Sequence, residues 1–380
     1  MKKRRILFLI DSLVCGGAEK SLVSLLPLLD YSRFEVDLML IGRGGLFDGY
    51  VPKEVHVIDM PQPTGLLARL CTLYYSLLIR LFPNRHFAEL RWKALHSSIK
   101  TFSESYDVAV AYQQGFPTYY VAEKVRAYRK LAWVNVDMAK AGYREKFNRT
   151  FYNKMDRVVA VSDQLYRMML DTQYVPTERL TTVYDILNVD LIRRMAGEQG
   201  FTDELPAGTL RIVTVGRLAP QKNHLLAVDT AAELRRRGLS FRWYFVGDGS
   251  LHNQVEAHIR QLHLEDTVVM LGEKANPYPY MAGADIYVQT SSFEGYCLTL
   301  CEARLLHCAE VSTNFPVVYN QLRHGENGLI AEMTPESLAD NIMRLATDTD
   351  LRQRIIKETY NETNTTAQTE SRKVNAFLAE

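Results

Sequence analysis

Ser291-Ser292-Phe293-Glu294-Gly295-Tyr296-Cys297-Leu298-Thr299-Leu300-Cys301-Glu302-Ala303-Arg304-Leu305-Leu306 follows the apolar run Ala284-Asp285-Ile286-Tyr287-Val288. The run reads as a buried strand, the polar residues 289–292 with Gly295 as a loop, and the remainder as a helix starting near Cys297 or Leu298. A strand feeding a helix through a short loop is the building unit of an α/β fold. The first N–H groups of such a helix lack intrahelical partners and carry the positive end of its dipole, which makes an anion site. Two carboxylates flank it. Glu294 in the loop and Glu302 in the second turn stand roughly 10 Å apart at helical rise, and carboxylates are strong acceptors for sugar or ribose hydroxyls. The same spacing also fits a plain strand-to-helix junction with Glu302 on a solvated face.

Upstream, the strand-like Leu210-Arg211-Ile212-Val213-Thr214-Val215 runs into Gly216-Arg217-Leu218-Ala219-Pro220-Gln221-Lys222-Asn223. Arg217 brings a planar fork and Lys222 a flexible point charge, and two cations on one loop suit a diphosphate. Trp243-Tyr244-Phe245-Val246 ends in Gly247-Asp248-Gly249, a tight turn after a strand. Val268-Val269-Met270-Leu271-Gly272 precedes Lys274 and the loop Asn276-Pro277-Tyr278-Pro279-Tyr280. Helices are expected over residues 335–346 and 351–360.

The first half repeats the pattern. Ile6-Leu7-Phe8-Leu9-Ile10 is fully apolar, as for a strand buried on both faces of a parallel sheet. Gly16-Gly17-Ala18-Glu19 follows, then a helix with Leu22, Leu25, Leu26 and Leu29 on one stripe. The glycines allow either a ligand or a tight empty turn above the helix N-terminus. Runs at 36–41, 55–58, 108–111, 131–136 and 157–162 predict further parallel strands. No dinucleotide fingerprint accompanies them, so no nicotinamide cofactor is expected. Residues 66–93 differ: Leu66-Leu67-Ala68-Arg69-Leu70-Cys71-Thr72-Leu73-Tyr74-Tyr75-Ser76-Leu77-Leu78-Ile79-Arg80-Leu81-Phe82 is apolar and aromatic with scattered cations. It is too short to span a bilayer. Two readings stay open, an interfacial helix on anionic lipid and a core helix with snorkelling arginines.

The chain of 380 residues exceeds what one core usually serves, so two domains are expected. Residues 184–190 mark the end of the first, and the polar residues 197–208 read as a connecting segment before the second. The net charge of +1 gives no case for nucleic acid. Cys15, Cys71, Cys297, Cys301 and Cys308 are an odd set in a long chain without Cys-x-x-Cys, which favours reduced thiols in a cytoplasmic protein. They lack a suitably spaced His, so they do not read as a metal site. The basic Met1-Lys2-Lys3-Arg4-Arg5 is not followed by a signal-peptide h-region, because Asp11 interrupts the apolar run. Asn148, Asn361 and Asn364 begin glycosylation sequons.

Taken in order, the Glu-x7-Glu stretch, the Gly-Arg-Leu-x-x-x-Lys-Asn octet, the Gly-x-Gly turn and Gly-Gly-Ala-Glu resemble the family 4 (group 1) glycosyltransferases. The resemblance covers most of the chain. It implies a retaining enzyme of GT-B architecture, with two facing Rossmann-like domains, each on a parallel sheet, and a cleft between them. Residues 1–188, with 366–380 packing back, would form the acceptor domain and 189–365 the donor domain. The implied activity is transfer of a hexosyl group from a nucleotide-sugar, a UDP-sugar by analogy, to a lipid-linked saccharide in cell-envelope polysaccharide synthesis. Arg217 and Lys222 would hold the pyrophosphate and Glu294 the transferred sugar, and these three are the catalytic candidates. The donor would also meet Gly17, Gly247, Gly272, Lys274, Gly295, Tyr296, Cys297 and Leu298, with Glu302 on the ribose. Gly16 and Asn135 fall on the acceptor side.

The chain departs from the family in three places. Asn135 stands where many relatives carry His, and His307 and Ala309 where they carry Gly and Pro. Asn hydrogen-bonds but shuttles no proton at neutral pH, and His307 reads as a structural cap. No cofactor beyond the nucleotide-sugar and no metal clamp are implied. The enzyme would be cytoplasmic, peripheral at the inner membrane face, with 66–93 as a contact. A nucleotide-sugar epimerase on the same architecture and a non-catalytic partner subunit are the alternatives.

Overall fold

The computed structural model describes residues 2–14, 16–361 and 366–380; Cys15, Asn364 and the Asn361 side chain lie outside them. The chain forms two compact units, Met1–Leu187 with Thr365–Glu380, and Asn188–Asn364.

The first unit contains strands β1 (Arg4–Ile10), β2 (Phe34–Leu40), β3 (Val55–Asp59), β4 (Ser105–Ala111), β5 (Arg126–Val134), β6 (Arg157–Ala160) and β7 (Leu180–Thr182). They form one parallel sheet in the order β3-β2-β1-β4-β5-β6-β7. Ile6 to Ile10 are all fully buried, the mark of a strand covered by helices on both faces. Three helices matter below: α1 (Gly17–Leu25), α2 (Gly65–Leu81) and α3 (Phe87–Leu95). The helix Thr366–Ala379 packs on this unit. Asn375 ties it to the turn after α1, accepting from the Asp30 amide at 2.9 Å and donating to Leu28 O at 3.0 Å. Glu380 pairs with Arg129 at 2.8 Å and Arg157 at 2.9 Å.

The second unit contains β8 (Leu210–Val215), β9 (Phe241–Val246), β10 (Val268–Gly272), β11 (Ile286–Gln289), β12 (Ala309–Thr313) and β13 (Leu329–Ala331). This parallel sheet has the order β10-β9-β8-β11-β12-β13. Its core joins Ile212, Trp243, Phe245, Ile286 and Val311 to the helices His224–Arg236 and Pro335–Thr347. Both units are Rossmann-like.

One sequence expectation needs correction. Residues 197–208 are not a connector between the units. They lie within the second, held by Asp203, which accepts from Arg242 at 3.1 Å and from the Tyr244 hydroxyl. The reading of His307 as a structural cap holds: just past the helix Leu298–Leu305 it is left-handed (φ 60°), its N–H donates to Arg304 O at 2.9 Å and the Cys308 N–H to Ala303 O at 3.0 Å, and its ring stacks on Tyr360 at 3.5 Å. Asn148 is a sequon without access: it is buried, accepts from the Tyr119 hydroxyl at 2.7 Å and donates to Arg144 O at 2.8 Å. Among the described residues Cys71, Cys297, Cys301 and Cys308 are free thiols.

One buried carboxyl gives a pH signature. Asp185 follows β7 beside Ser21 of α1, and burial raises its pKa to about 7, partly offset by a Ser21 hydrogen bond. A carboxyl raised on folding contributes stability that is full below about pH 4 and lost as pH climbs through its folded value. The loss is on the order of 4 kcal/mol. Asp185→Asn is therefore expected to melt above the parent at pH 8 and to converge with it towards pH 4. Melting curves at both pH values check this, and a gain that does not grow with pH would contradict it.

Candidate functional site

In the second sheet the strand order reverses between β8 and β11, and their C-terminal loops diverge there. That reversal is where open α/β sheets hold ligands. The β8 loop carries the octet and the β11 loop carries Glu294.

The two loops are stitched through backbone and side chains. Ser292 N donates to Gln221 O at 2.8 Å, and Thr290 Oγ1 donates to Lys222 O at 2.8 Å. Thr313 Oγ1, from β12, donates to Ser291 O at 2.6 Å. Beneath them run close backbone contacts. Gly216 N donates to Val246 O at 3.0 Å, Leu218 N to Asp248 O at 3.0 Å, and Gly247 N to Gly272 O at 2.9 Å. A Cβ on Gly247 would lie 2.1 Å from Gly216 O, and Gly247 has φ 144°. Glycine there is a packing requirement as well as a conformational one. Lys222 lies over Gly216: a Cβ on that glycine would stand 3.3 Å from Lys222 Cδ. The octet ends at Asn223, left-handed at φ 52°, which starts the helix His224–Arg236.

Lys222 Nζ meets Glu294 Oε1 at 2.6 Å, with side chains 16% and 7% exposed. Ser291 Oγ donates to the same oxygen at 2.6 Å, and Gln221 Nε2 to Oε2 at 3.2 Å. Ser291 in turn accepts from Gln289 Nε2 at 2.7 Å, while Gln289 Oε1 accepts from Tyr287 Oη at 2.7 Å and Thr299 Oγ1 at 3.0 Å. The carboxylate is thus fixed by a network reaching the strand and the helix. Burial works against the Lys222 ammonium, but the Glu294 carboxylate outweighs it and holds its pKa above the usual lysine value. His224, directly behind, is fully buried and pushed down to about 3 by burial and by Lys222, so it stays neutral. Arg217 is exposed on the same loop.

Cys297 is left-handed (φ 68°) and starts the helix Leu298–Leu305, to which no side chain supplies a cap. Its first amides keep the anion-binding capacity expected of such a terminus. Burial pushes the Cys297 thiol up, which keeps it protonated. Gly295 is buried and Tyr296 half-buried; Tyr296 O accepts from Gln321 Nε2. Glu302 is fully buried and accepts from Tyr278 Oη at 3.0 Å. Gly272 is left-handed (φ 71°) with open space where a Cβ would stand, and Lys274, two residues on, is half-buried. The structure therefore gathers the β8, β9, β10 and β11 loops at one edge of the second unit.

In the first unit, Gly16 caps α1 and Gly17 begins it; a Cβ on Gly16 would strike the Glu19 carboxylate at 2.2 Å. Asn135 follows β5, its amide N–H donating to Gln114 Oε1 at 3.0 Å and Nδ2 to Tyr112 O at 2.9 Å. Asn135 Oδ1 is a buried acceptor without a hydrogen-bond partner. Asp11, just after β1, has the same feature at Oδ1, with Arg91 Nη1 4.0 Å away. Burial raises the Asp11 carboxyl, and Arg91 opposes the rise. His86 stacks on Tyr143 at 3.6 Å and is pushed down to about 4 by burial.

Sequence reasoning missed Ser291, Gln221, Gln289 and Tyr278 as supports, and Asp11 as a buried polar group at the end of β1. Asp11 closes the first strand, and a polar residue after a buried run is the signal that would have found it. Among the described residues no group of three or more His, Cys, Asp or Glu side chains is arranged to hold a metal.

Comparison with known proteins gives matches to part and to most of the chain. Residues 198–362 match the model described as glycosyl transferases group 1. A curated relative is the Campylobacter jejuni N-acetylgalactosamine-N,N'-diacetylbacillosaminyl-diphospho-undecaprenol 4-alpha-N-acetylgalactosaminyltransferase, 25% identical over 357 residues and 90% of each chain. The putative colanic acid biosynthesis glycosyltransferase WcaL of Salmonella typhimurium is 25% identical over 200 residues, 50% of this chain and 47% of its own. Among solved structures, Anabaena Alr3699/HepE in complex with UDP and glucose superposes with TM-score 0.72 at 20% identity, covering 99% of both chains. That likeness shows the fold, the GT-B architecture. The findings together support a glycosyltransferase.

Proposed function

We propose that this chain is a retaining hexosyltransferase that moves a sugar from a UDP-sugar to a lipid-linked saccharide in cell-envelope polysaccharide biosynthesis, acting as a peripheral protein at the inner membrane face. One observation carries the reading: the Lys222–Glu294 pair, 2.6 Å apart beside an uncapped helix terminus at the sheet's reversal point. A cation, a carboxylate and an anion site side by side match a sugar joined to a diphosphate. The lipid-linked acceptor is supported by the undecaprenol-diphosphate transferase among the relatives, and the polysaccharide pathway by the colanic acid one. The uridine assignment rests on the family resemblance. No helix among the described residues is long and apolar enough to cross a membrane.

In the reaction, the bond between the anomeric carbon and the phosphate oxygen breaks as the acceptor hydroxyl joins that carbon from the same face. The acceptor's proton passes to the departing phosphate oxygen. Negative charge grows on the diphosphate, and Arg217, Lys222 and the amides at Leu298 and Thr299 stabilise it where it develops. These groups, rather than a bound metal, neutralise the leaving group. Glu294, locked by Ser291 and Gln221, accepts from the donor sugar's hydroxyls. Glu302 serves the ribose. With no accessible surface at present, it reaches a ligand only after a covering group such as Tyr278 moves. The Gly272–Lys274 turn receives the base, Gly247 and Gly17 the phosphate side, and Gly16 and Asn135 the acceptor.

The test is nucleotide release from UDP-, GDP- and ADP-sugars, with a membrane lipid extract as acceptor and with chelator present. The expected result is release from one UDP-sugar, dependent on the extract and unaffected by chelation, with the product's anomeric configuration equal to the donor's by NMR. Inverted product, or free sugar formed without acceptor, would overturn the reading, the latter in favour of an epimerase. Nucleotide binding without turnover on any extract would mark a non-catalytic subunit.

A further inference from the structure

Helix α2 is covered on one narrow stripe only. Cys71 and Leu78 are buried and Tyr75 half-buried; Leu78 and Tyr75 pack on Leu90 and Ala94 of α3, and Cys71 Sγ donates to Ser98 Oγ at 3.4 Å. The opposite face carries Leu66, Leu70, Leu73, Leu77 and Leu81, at helical spacings of four, three, four and four. All five are between 49% and 73% exposed. A soluble surface helix ordinarily turns such a stripe to the core and its polar side to water. This one does the reverse. Tyr74, Phe82 and Phe87, also exposed, lengthen the apolar surface at its flank and C-terminal end.

Charge points to the occupant. Between Asp59 and Glu89 the sequence contains no acidic residue, while Arg69, Arg80 and Arg85 fall in the same interval. Arg69 and Arg80, three turns apart, border the leucine stripe on one side, and neither has a carboxylate partner among the described residues. An apolar face edged by unpaired cations is complementary to a surface that is apolar inside and anionic outside. At 17 residues α2 is about 25 Å long, too short to cross a bilayer but long enough to lie along one.

We propose that the leucine face of α2 is a membrane-docking surface that seats in the interface of an anionic phospholipid bilayer, with Arg69 and Arg80 on the headgroups. The proposal deepens the lipid-linked acceptor reading and rests on it for its purpose. The docking itself requires neither donor nor acceptor.

Flotation of the full chain with vesicles tests it. The wild type is expected to float with mixed phosphatidylglycerol and phosphatidylcholine vesicles at low salt, and weakly with phosphatidylcholine alone. Leu70→Ser/Leu73→Ser/Leu77→Ser should lower the bound fraction more than tenfold on either lipid. Arg69→Gln/Arg80→Gln should lower binding by about twenty-five-fold on the anionic vesicles only, since each surface cation adds about a factor of five. The substituted side chains are exposed, and unchanged circular dichroism would show that the variants fold. Wild type that stays at the bottom with anionic vesicles overturns the proposal, as does a leucine variant that floats normally. Lipid-independent self-association abolished by the leucine substitutions would also overturn it, assigning the face to a second copy of the chain. Vesicle binding without sugar transfer would leave the surface standing and sink the transferase reading. Transfer to a detergent-solubilised acceptor without vesicle binding would do the opposite.

Discussion

Lys222→Ala is expected to lower nucleotide release from the donor sugar by two to three orders of magnitude, the usual cost of deleting one preorganised group aimed at developing negative charge. Lys222 is more than a surface cation. It lies over Gly216, meets Glu294 at 2.6 Å, and its side chain is 16% exposed, so little water is available to substitute for it. Its loss also leaves the Glu294 carboxylate buried without a counter-charge, which costs roughly 3 kcal/mol or more where no other partner compensates. Here Ser291 and Gln221 still donate to that carboxylate, so the stability loss should fall below that figure. A double-mutant cycle separates the two effects. Lys222→Ala/Glu294→Gln should recover most of the melting temperature lost in Lys222→Ala, because a neutral amide tolerates the site. It should recover no turnover, because the charge on the leaving diphosphate remains unopposed. Recovery of turnover together with stability would mean that Lys222 acts by holding the fold. Lys222→Arg should not rescue either, since a planar guanidinium does not reproduce the compact ammonium that meets the Glu294 oxygen to which Ser291 also donates.

The strands were readable because their signal is local. A run such as Ile6-Leu7-Phe8-Leu9-Ile10 is apolar throughout only when both faces of a strand are covered, and all five residues are buried. The glycine turns announced themselves similarly: Gly247 at φ 144° and Gly272 at φ 71° occupy backbone that other residues rarely adopt. The Glu294–Lys222 pair was not readable as a pair. The residues are 72 positions apart, and only the sheet order, which puts β11 next to β8, brings their loops together. Glu302 teaches the same lesson in reverse: helical spacing located its carboxylate relative to Glu294, but the tertiary partner Tyr278, from a segment two elements away, decided that it is fully buried. For α2, leucines occur around much of the helix, so periodicity could not choose between core and interface. The choice depended on how much of α3 lies against it. Residues 197–208 misled because Gly, Pro and charge resemble a connector, while Asp203 uses its charge to anchor the segment to Arg242 and Tyr244 of β9.

Gly247→Ala is expected to reduce turnover by about a hundredfold although the residue bears no chemistry. An added Cβ would stand 2.1 Å from Gly216 O, and neither partner is the flexible end of a side chain, so the β8 and β9 loops must part. Gly216 is followed by Arg217 and lies under Lys222, so both diphosphate-binding cations move with it. A displacement near 1 Å in positioning groups costs on the order of 10²-fold in rate. The backbone at φ 144° adds strain of its own. Gly238→Ala is the control, because its φ of 81° is also left-handed, nothing lies within 4 Å of the added methyl, and the residue follows the helix His224–Arg236, outside the donor loops. That variant should lose only about 1–2 kcal/mol of stability and keep turnover within a few-fold. Steady-state nucleotide release and thermal melting of the two variants decide the point. If both lose activity equally, backbone strain is the cause and the contact between Gly247 and Gly216 is not what positions the cations. If Gly247→Ala alone collapses, the donor loops are held in place by two glycines whose missing side chains let the strands' ends touch.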